Sequence, residues 1–100
     1  MIFNVDTAAV DASALAEAGL GVEMGAGTAG VAPALTATVP PALDADSLAF
    51  AAALNSSGVA YTAVSAEHVA QRAAYSGAQA LASTVTQVNE AIGAAANAIA

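Results

Sequence analysis

The sequence predicts an all-α protein built from two long antiparallel helices, an αα-hairpin. Three observations carry this. About a third of the residues are alanine, the residue with the highest helix propensity. Val, Ile, Thr and the aromatics never cluster with the period of two that strands need, and alanine is depleted in strands. A single dense run of punctuation, "VPPALDADS" at 39–47, divides the chain in two.

The first helix is expected over about 7–38. Asp6 or Thr7 can accept hydrogen bonds from its first free amides, and Asp11 lies near its positive end. Leu20, Met24, Val31 and Leu35 share one face, at steps of four, seven and four. Leu15 and Val22 lie near the opposite face. A helix that is apolar on two sides is usually buried on two sides.

The stretch "GLGVEMGAGTAG", 19–30, carries five glycines, each costing about 1 kcal/mol relative to alanine in a helix. Two readings stay open: a flexible or broken helix, or close approach of another helix, which small residues permit. Pro33 predicts a kink, because it removes an intrahelical donor.

The turn is expected at 39–46. Pro40 and Pro41 stop the first helix. Asp44, Asp46 or Ser47 start the second, the acids suiting its positive end. The second helix is expected over about 47–85. Phe50, Leu54, Tyr61, Val64, His68 and Tyr75 form a stripe with steps of four, seven, three, four and seven, which fits a helical seam. Ser57, Gln71 and Ala78 fill intervening positions. Leu81, Val85, Val88 and Ile92 can prolong the helix, but Gly93 and the small-residue end predict a frayed tail over 86–100.

Composition bounds what this hairpin can do alone. The hydrophobic fraction is 58% but aromatics are only 4%. Alanine buries little area, whereas fully burying a Leu or Phe contributes roughly 1.5–3 kcal/mol. One hundred residues make a single domain of marginal size. The hairpin therefore needs further helices to cover its stripes, and a partner chain should supply them to complete a bundle. The partner interface is expected at Leu20, Met24, Val31, Leu35, Phe50, Leu54, Tyr61, Val64, His68 and Tyr75.

Charge and motifs remove other classes. Eight acids stand against Arg72 alone, for a net charge of -7. That disfavours nucleic acid and anionic membrane surfaces. There is no cysteine, hence no disulfide scaffold. The N-terminus has no basic region and does not read as a general secretory signal. The uncharged windows 24–43 and 47–66 are interrupted by Pro and Gly or made mostly of alanine, so no transmembrane segment is expected.

No catalytic constellation, cofactor site or metal site is expected. His68 is the only histidine, and its place on the stripe favours a hydrogen-bonding role at an interface, where imidazole also brings pH sensitivity. Asp44 and Asp46 read as caps rather than paired catalytic carboxylates. Asn55-Ser56-Ser57 matches a glycosylation sequon but sits mid-helix. Glu67 and Arg72, five apart, are poorly placed to pair along one helix, and either can meet a partner's charge.

The stretch "APALTATVPPALDADSLAFAAALNSSGVAYTAVSAEHV", 32–69, resembles the mycobacterial PE family. Ala32-Pro33, Val39-Pro40-Pro41 and Asp44 to Ser47 match the family's late Ala-Pro pair, its Val-Pro corner and its second-helix start. The resemblance extends to the length and layout of the whole chain. It implies a non-enzymatic subunit that pairs with a PPE-family protein and reaches an ESX chaperone only through that PPE subunit. It also implies export by a type VII (ESX) system, with a cytoplasmic stage before secretion or surface display. Two positions depart from the pattern. Ala8-Ala9 stand where the family has Pro-Glu. In "TQVNE", Glu90 fits the acid of the Tyr-x-x-x-Asp/Glu secretion signal, but Thr86 stands at the tyrosine. From residues alone, a second class stays open: a membrane- or surface-associated amphipathic protein that uses its stripes on lipid.

Overall fold

A computed structural model describes residues 4–100. Among them are two helices and no strand: α1, Thr7–Thr36, and α2, Ala45–Ala98. The chain is a helical hairpin, as the alanine content and the proline corner predict.

α1 begins where Asp6 caps it. The Ala9 amide donates to Asp6 Oδ1 at 3.1 Å, satisfying one of the free N–H groups of the first turn. The helix runs unbroken through the glycines and through Pro33. It ends at Thr36 rather than 38. The residue before a proline is pushed out of the α region, and Thr38 has left the helical ladder for a side-chain partner on α2.

Asp44 starts α2 with both carboxylate oxygens. The Ser47 amide donates to Oδ1 and the Ser47 hydroxyl to Oδ2, each at 2.9 Å. These bonds, the amide's first and the hydroxyl's second, hold the Asp44 carboxyl below its ordinary value of 3.8. A depressed carboxylate stabilises the fold above its unfolded pKa and loses that contribution as pH falls through the folded value. Asp44→Ala is therefore expected to lower the melting temperature by a few degrees at pH 7. The gap from wild type should close in the acid range below 3.8; helix content followed by circular dichroism checks both.

The frayed tail expected over 86–100 is a correction. α2 continues to Ala98, well past Val85. Five of the eight residues in the segment "AIGAAANA" are alanine. One glycine costs about 1 kcal/mol, and extending an existing helix needs no new nucleus.

The contacts fall into two compact units: Gly21–Gln71, and the chain up to Leu20 together with Arg72–Ala100. In the first, which contains the turn, the covered positions of α2 are Ser47, Ala51, Asn55, Gly58, Thr62, Ser65 and Val69. They recur at steps of four and three, the spacing of a seam between two helices. On α1 the covered positions are Gly21, Met24, Gly25, Thr28, Ala32, Leu35 and Thr36. Apart from Met24, Leu35 and Val69 the seam is made of small side chains, and Ala51 is only 3% exposed.

Two contacts fix this unit. A Cβ on Gly58 would lie 2.6 Å from the Leu35 carbonyl carbon and closer still to its oxygen; only glycine fits there. Asn55 clamps the end of α1: its Oδ1 accepts from the Thr38 amide at 2.6 Å, and its Nδ2 donates to the Thr38 carbonyl at 3.2 Å. This supplies partners for a backbone residue that has no helical ones.

In the second unit α1 contributes Thr7, Val10, Ala14 and Glu17, and α2 contributes Arg72, Ser76, Gln79, Ser83 and Thr86. This seam is polar. The Ser76 hydroxyl donates to the Ala14 carbonyl at 2.8 Å, Gln79 Nε2 to Ser13 Oγ at 2.9 Å, and the Ser83 hydroxyl to the Thr7 carbonyl at 3.3 Å. Arg72 Nη1 meets Glu17 Oε2 at 2.5 Å. The chain's only cation is thus spent inside the hairpin, on Glu17 and not on Glu67 or a partner's charge. Glu17→Gln is expected to cost about 1 kcal/mol, the upper range for a half-covered pair. That is a melting shift of about 4–8 °C for a chain of this size. The shift should shrink but not vanish in 1 M salt, because the 2.5 Å contact is shorter than the screening length of about 3 Å.

Candidate functional site

On α2, the residues expected to dock a partner do not make the hairpin's own seam. Phe50 is 60% exposed, while Ala51, next to it in the chain, is buried. The pattern repeats down α2 of the first unit. Leu54, Tyr61, Val64 and His68 are all exposed, and Asn55, Thr62, Ser65 and Val69, each one residue later, are covered. Ser57 precedes Gly58 in the same way. So α2 carries two ladders, offset by one residue or about 100° around the helix. The inner ladder is small and polar. The outer ladder is large and apolar.

The same offset appears in the second unit, where exposed Tyr75 precedes Ser76 and exposed Val85 precedes Thr86. On α1 the expected face divides. Met24 and Leu35 are half-buried in the seam of the turn-containing unit, and Val31 there is exposed. Leu20, in the other unit, is exposed as well.

Grooves run along the outer ladder. One, of about 360 Å³, has Met24, Gly27 and Thr28 on the α1 side and Tyr61, Val64, Ser65 and His68 on the α2 side. The next, nearer the turn and about 320 Å³, lies among Ala34, Leu35, Leu54, Ser57 and Gly58, with Tyr61 again on its wall. Small residues and large apolar ones together line both grooves. This is the relief that receives the ridge of another helix. A third groove, between Gly25 and Ala29 on α1 and Thr62 and Ala66 on α2, has Val69 as its one large apolar wall.

The glycine-rich stretch is helical. Among the described residues, nothing beyond the helix itself comes within 4 Å of a Cβ placed on Gly25, Gly27 or Gly30. Gly21, at the start of the stretch, is buried in the seam, and at Gly58 on α2 the backbone of α1 comes within reach of an added Cβ.

Thr86 is half-covered, and its hydroxyl donates to the Ala82 carbonyl at 2.9 Å. Glu90 is exposed one turn further along. Both lie within α2, not in a tail beyond it. Among the turn residues, Asp44 and Ser47 form the cap already described; Pro40 is half-covered and Pro41 exposed.

Among the described residues no three His, Cys, Asp or Glu side chains come together as a metal group. No described helix is long and apolar enough to cross a membrane.

Asn55, Gly58, Glu17, Ser76 and Ser83 build the inner seam and escape a search for large apolar residues. For Asn55 and Ser76 the usable signal is a small or polar residue directly after a large one; Gly58, Glu17 and Ser83 follow small residues and carry no such signal. No family model, curated protein or solved structure matches the chain.

Proposed function

We propose that this chain is the PE-like half of a PE–PPE heterodimer, a non-enzymatic partner-docking subunit handled by a type VII secretion system. The observation that carries it is the outer ladder of α2, with large side chains outside a hairpin whose interior is alanine, glycine and serine. A soluble chain seldom leaves such a row uncovered. Covering the exposed half of each residue contributes on the order of 1 kcal/mol, so one partner helix along Phe50 to His68 adds more than the small seam does. The resemblance over 32–69 names the partner as a PPE-family chain. The ESX chaperone then acts through that partner, and the pair travels from the cytoplasm to the outside.

The test is co-expression with the PPE-family chain of the neighbouring reading frame. A complex that stays monodisperse and melts well above the isolated hairpin supports the reading. A stable monomer that gains nothing on mixing overturns it. Liposome flotation separates the alternative, in which the ladder lies on lipid: flotation with neutral vesicles, unaffected by the PPE chain, favours that role. Glu90→Ala should reduce export of the pair if Thr86 and Glu90 serve as a variant secretion signal. Undiminished export places recognition on the partner.

A further inference from the structure

We infer that residues 7–18 of α1 form a strap, which lifts from α2 as one piece without the turn-containing unit unfolding. The inference rests on how the polar seam is made and is independent of the pairing reading above.

The seam has little apolar contact to lose. Among the described residues, Val10 is the only large apolar side chain of either helix that is even half-covered in this unit. On α2 the seam is Arg72, Ser76, Gln79, Ser83 and Thr86. Apolar burial, the main force that holds helices together, is therefore small here. The strap is held by the ion pair of Arg72 with Glu17, whose side chains are 39% and 25% exposed, and by a few hydrogen bonds.

Each of those hydrogen bonds has a substitute once the strap lifts. The Ala14 and Thr7 carbonyls that accept from Ser76 and Ser83 lie inside α1 and keep their helical amide donors. The serine hydroxyls can turn to the carbonyl four residues back in α2, as the Thr84 and Thr86 hydroxyls do at 3.0 and 2.9 Å. Ser13 is exposed, so water replaces Gln79 there. Lifting also relieves a defect. Gln79 Oε1 is covered and has no hydrogen-bond partner among the described residues, and opening gives it water. The turn-containing unit is the opposite case: there Asn55 holds both the amide and the carbonyl of Thr38.

The strap has a place to bend. Gly19 follows Glu17, the last seam position that α1 contributes to this unit. Nothing beyond the helix itself, among the described residues, lies within 4 Å of a Cβ built on Gly19. Glycine is a weak helix former, so the helical ladder is weakest there. A lone helix of about twelve residues is marginal in water, so the lifted strap exposes its amides. What lifting uncovers on α2 is a polar strip with Arg72, the chain's only cation, freed from Glu17.

The experiment is native-state amide hydrogen exchange on the full chain. Residues 11–18 should share one protection factor, about tenfold or more below that of 24–32. Urea should lower it only slightly, because lifting exposes little surface, while protection at 24–32 falls steeply. Glu17→Gln should lower protection at 11–18 about fivefold, and Gly19→Ala should raise it. Asn55→Ala should lower protection at 24–32 and leave 11–18 unchanged, because the strap lifts with that clamp in place. Should Asn55→Ala fail to fold, the urea dependence of the wild type decides. Equal protection and equal urea dependence in the two segments, or loss at 11–18 in a folded Asn55→Ala chain, means that the hairpin opens only as a whole and overturns the inference. A gradient falling from residue 18 to residue 11 is fraying of a helix end and overturns it too, as does a lack of protected amides in both segments.

Discussion

Gly58→Ala is expected to unfold most of the hairpin near the turn, although the change raises helix propensity. Alanine gains about 1 kcal/mol over glycine in a helix interior. At position 58 the new methyl meets the Leu35 carbonyl, a backbone group that cannot swing aside. The helices must separate, and a seam of small side chains tolerates little separation, since dispersion falls away within an ångström. Overpacking of this kind costs about 1–3 kcal/mol and more against backbone. The net loss of about 2 kcal/mol lowers the melting point by roughly 8–16 °C at 4–8 °C per kcal/mol. Gly77→Ala is the paired control. Among the described residues nothing lies within 4 Å of its added Cβ, so only the propensity gain of about 1 kcal/mol remains and the melting point rises. If both variants shift in the same direction, close approach at Gly58 is not what holds this unit.

Val64→Asp is expected to abolish partner binding and leave the isolated hairpin as it was. Val64 is half-exposed on the outer ladder, so a carboxylate there keeps its water in the free chain. Under a docked helix that carboxylate loses its water with no cation nearby, because Arg72 is held by Glu17. The effective cost is several kcal/mol, and each 1.4 kcal/mol is tenfold in affinity. Co-purification should fall by at least two orders of magnitude. Ala66→Asp, an exposed position on the third groove, should bind as wild type does. Equal loss in the two variants would put the partner elsewhere.

Where the helices begin, and that there are two, was legible in single residues. Asp6 and Asp44 cap as their positions before alanine-rich runs predict, and Pro40 and Pro41 lie in the connection. The length of α2 was not. Gly93 and the small tail suggested fraying, yet each alanine adds to a helix already formed. The internal contact was also hidden. The visible periodicity belongs to the large apolar residues of α2, and these form a row that faces out. The inner seam consists of Ala51, Asn55, Gly58, Thr62 and Ser65. No hydropathy measure registers such residues as a core, because they act through proximity and hydrogen bonding rather than buried area. The Arg72 pairing was hidden for a related reason. Its partner, Glu17, is far away in sequence, and spacing along one helix cannot reveal it.

The offset of one residue between the two ladders has a consequence for folding. A rotation of α2 by about 100° about its own axis would turn Phe50, Leu54, Tyr61 and Val64 inward, against α1. That packing buries far more hydrocarbon, so hydrophobicity alone favours the wrong hairpin. The Asn55 clamp on Thr38 and the fit of Gly58 against Leu35 are lost on rotation, and they work against it. The polar interior acts as a steering device, trading burial within the chain for a row of large side chains left available outside.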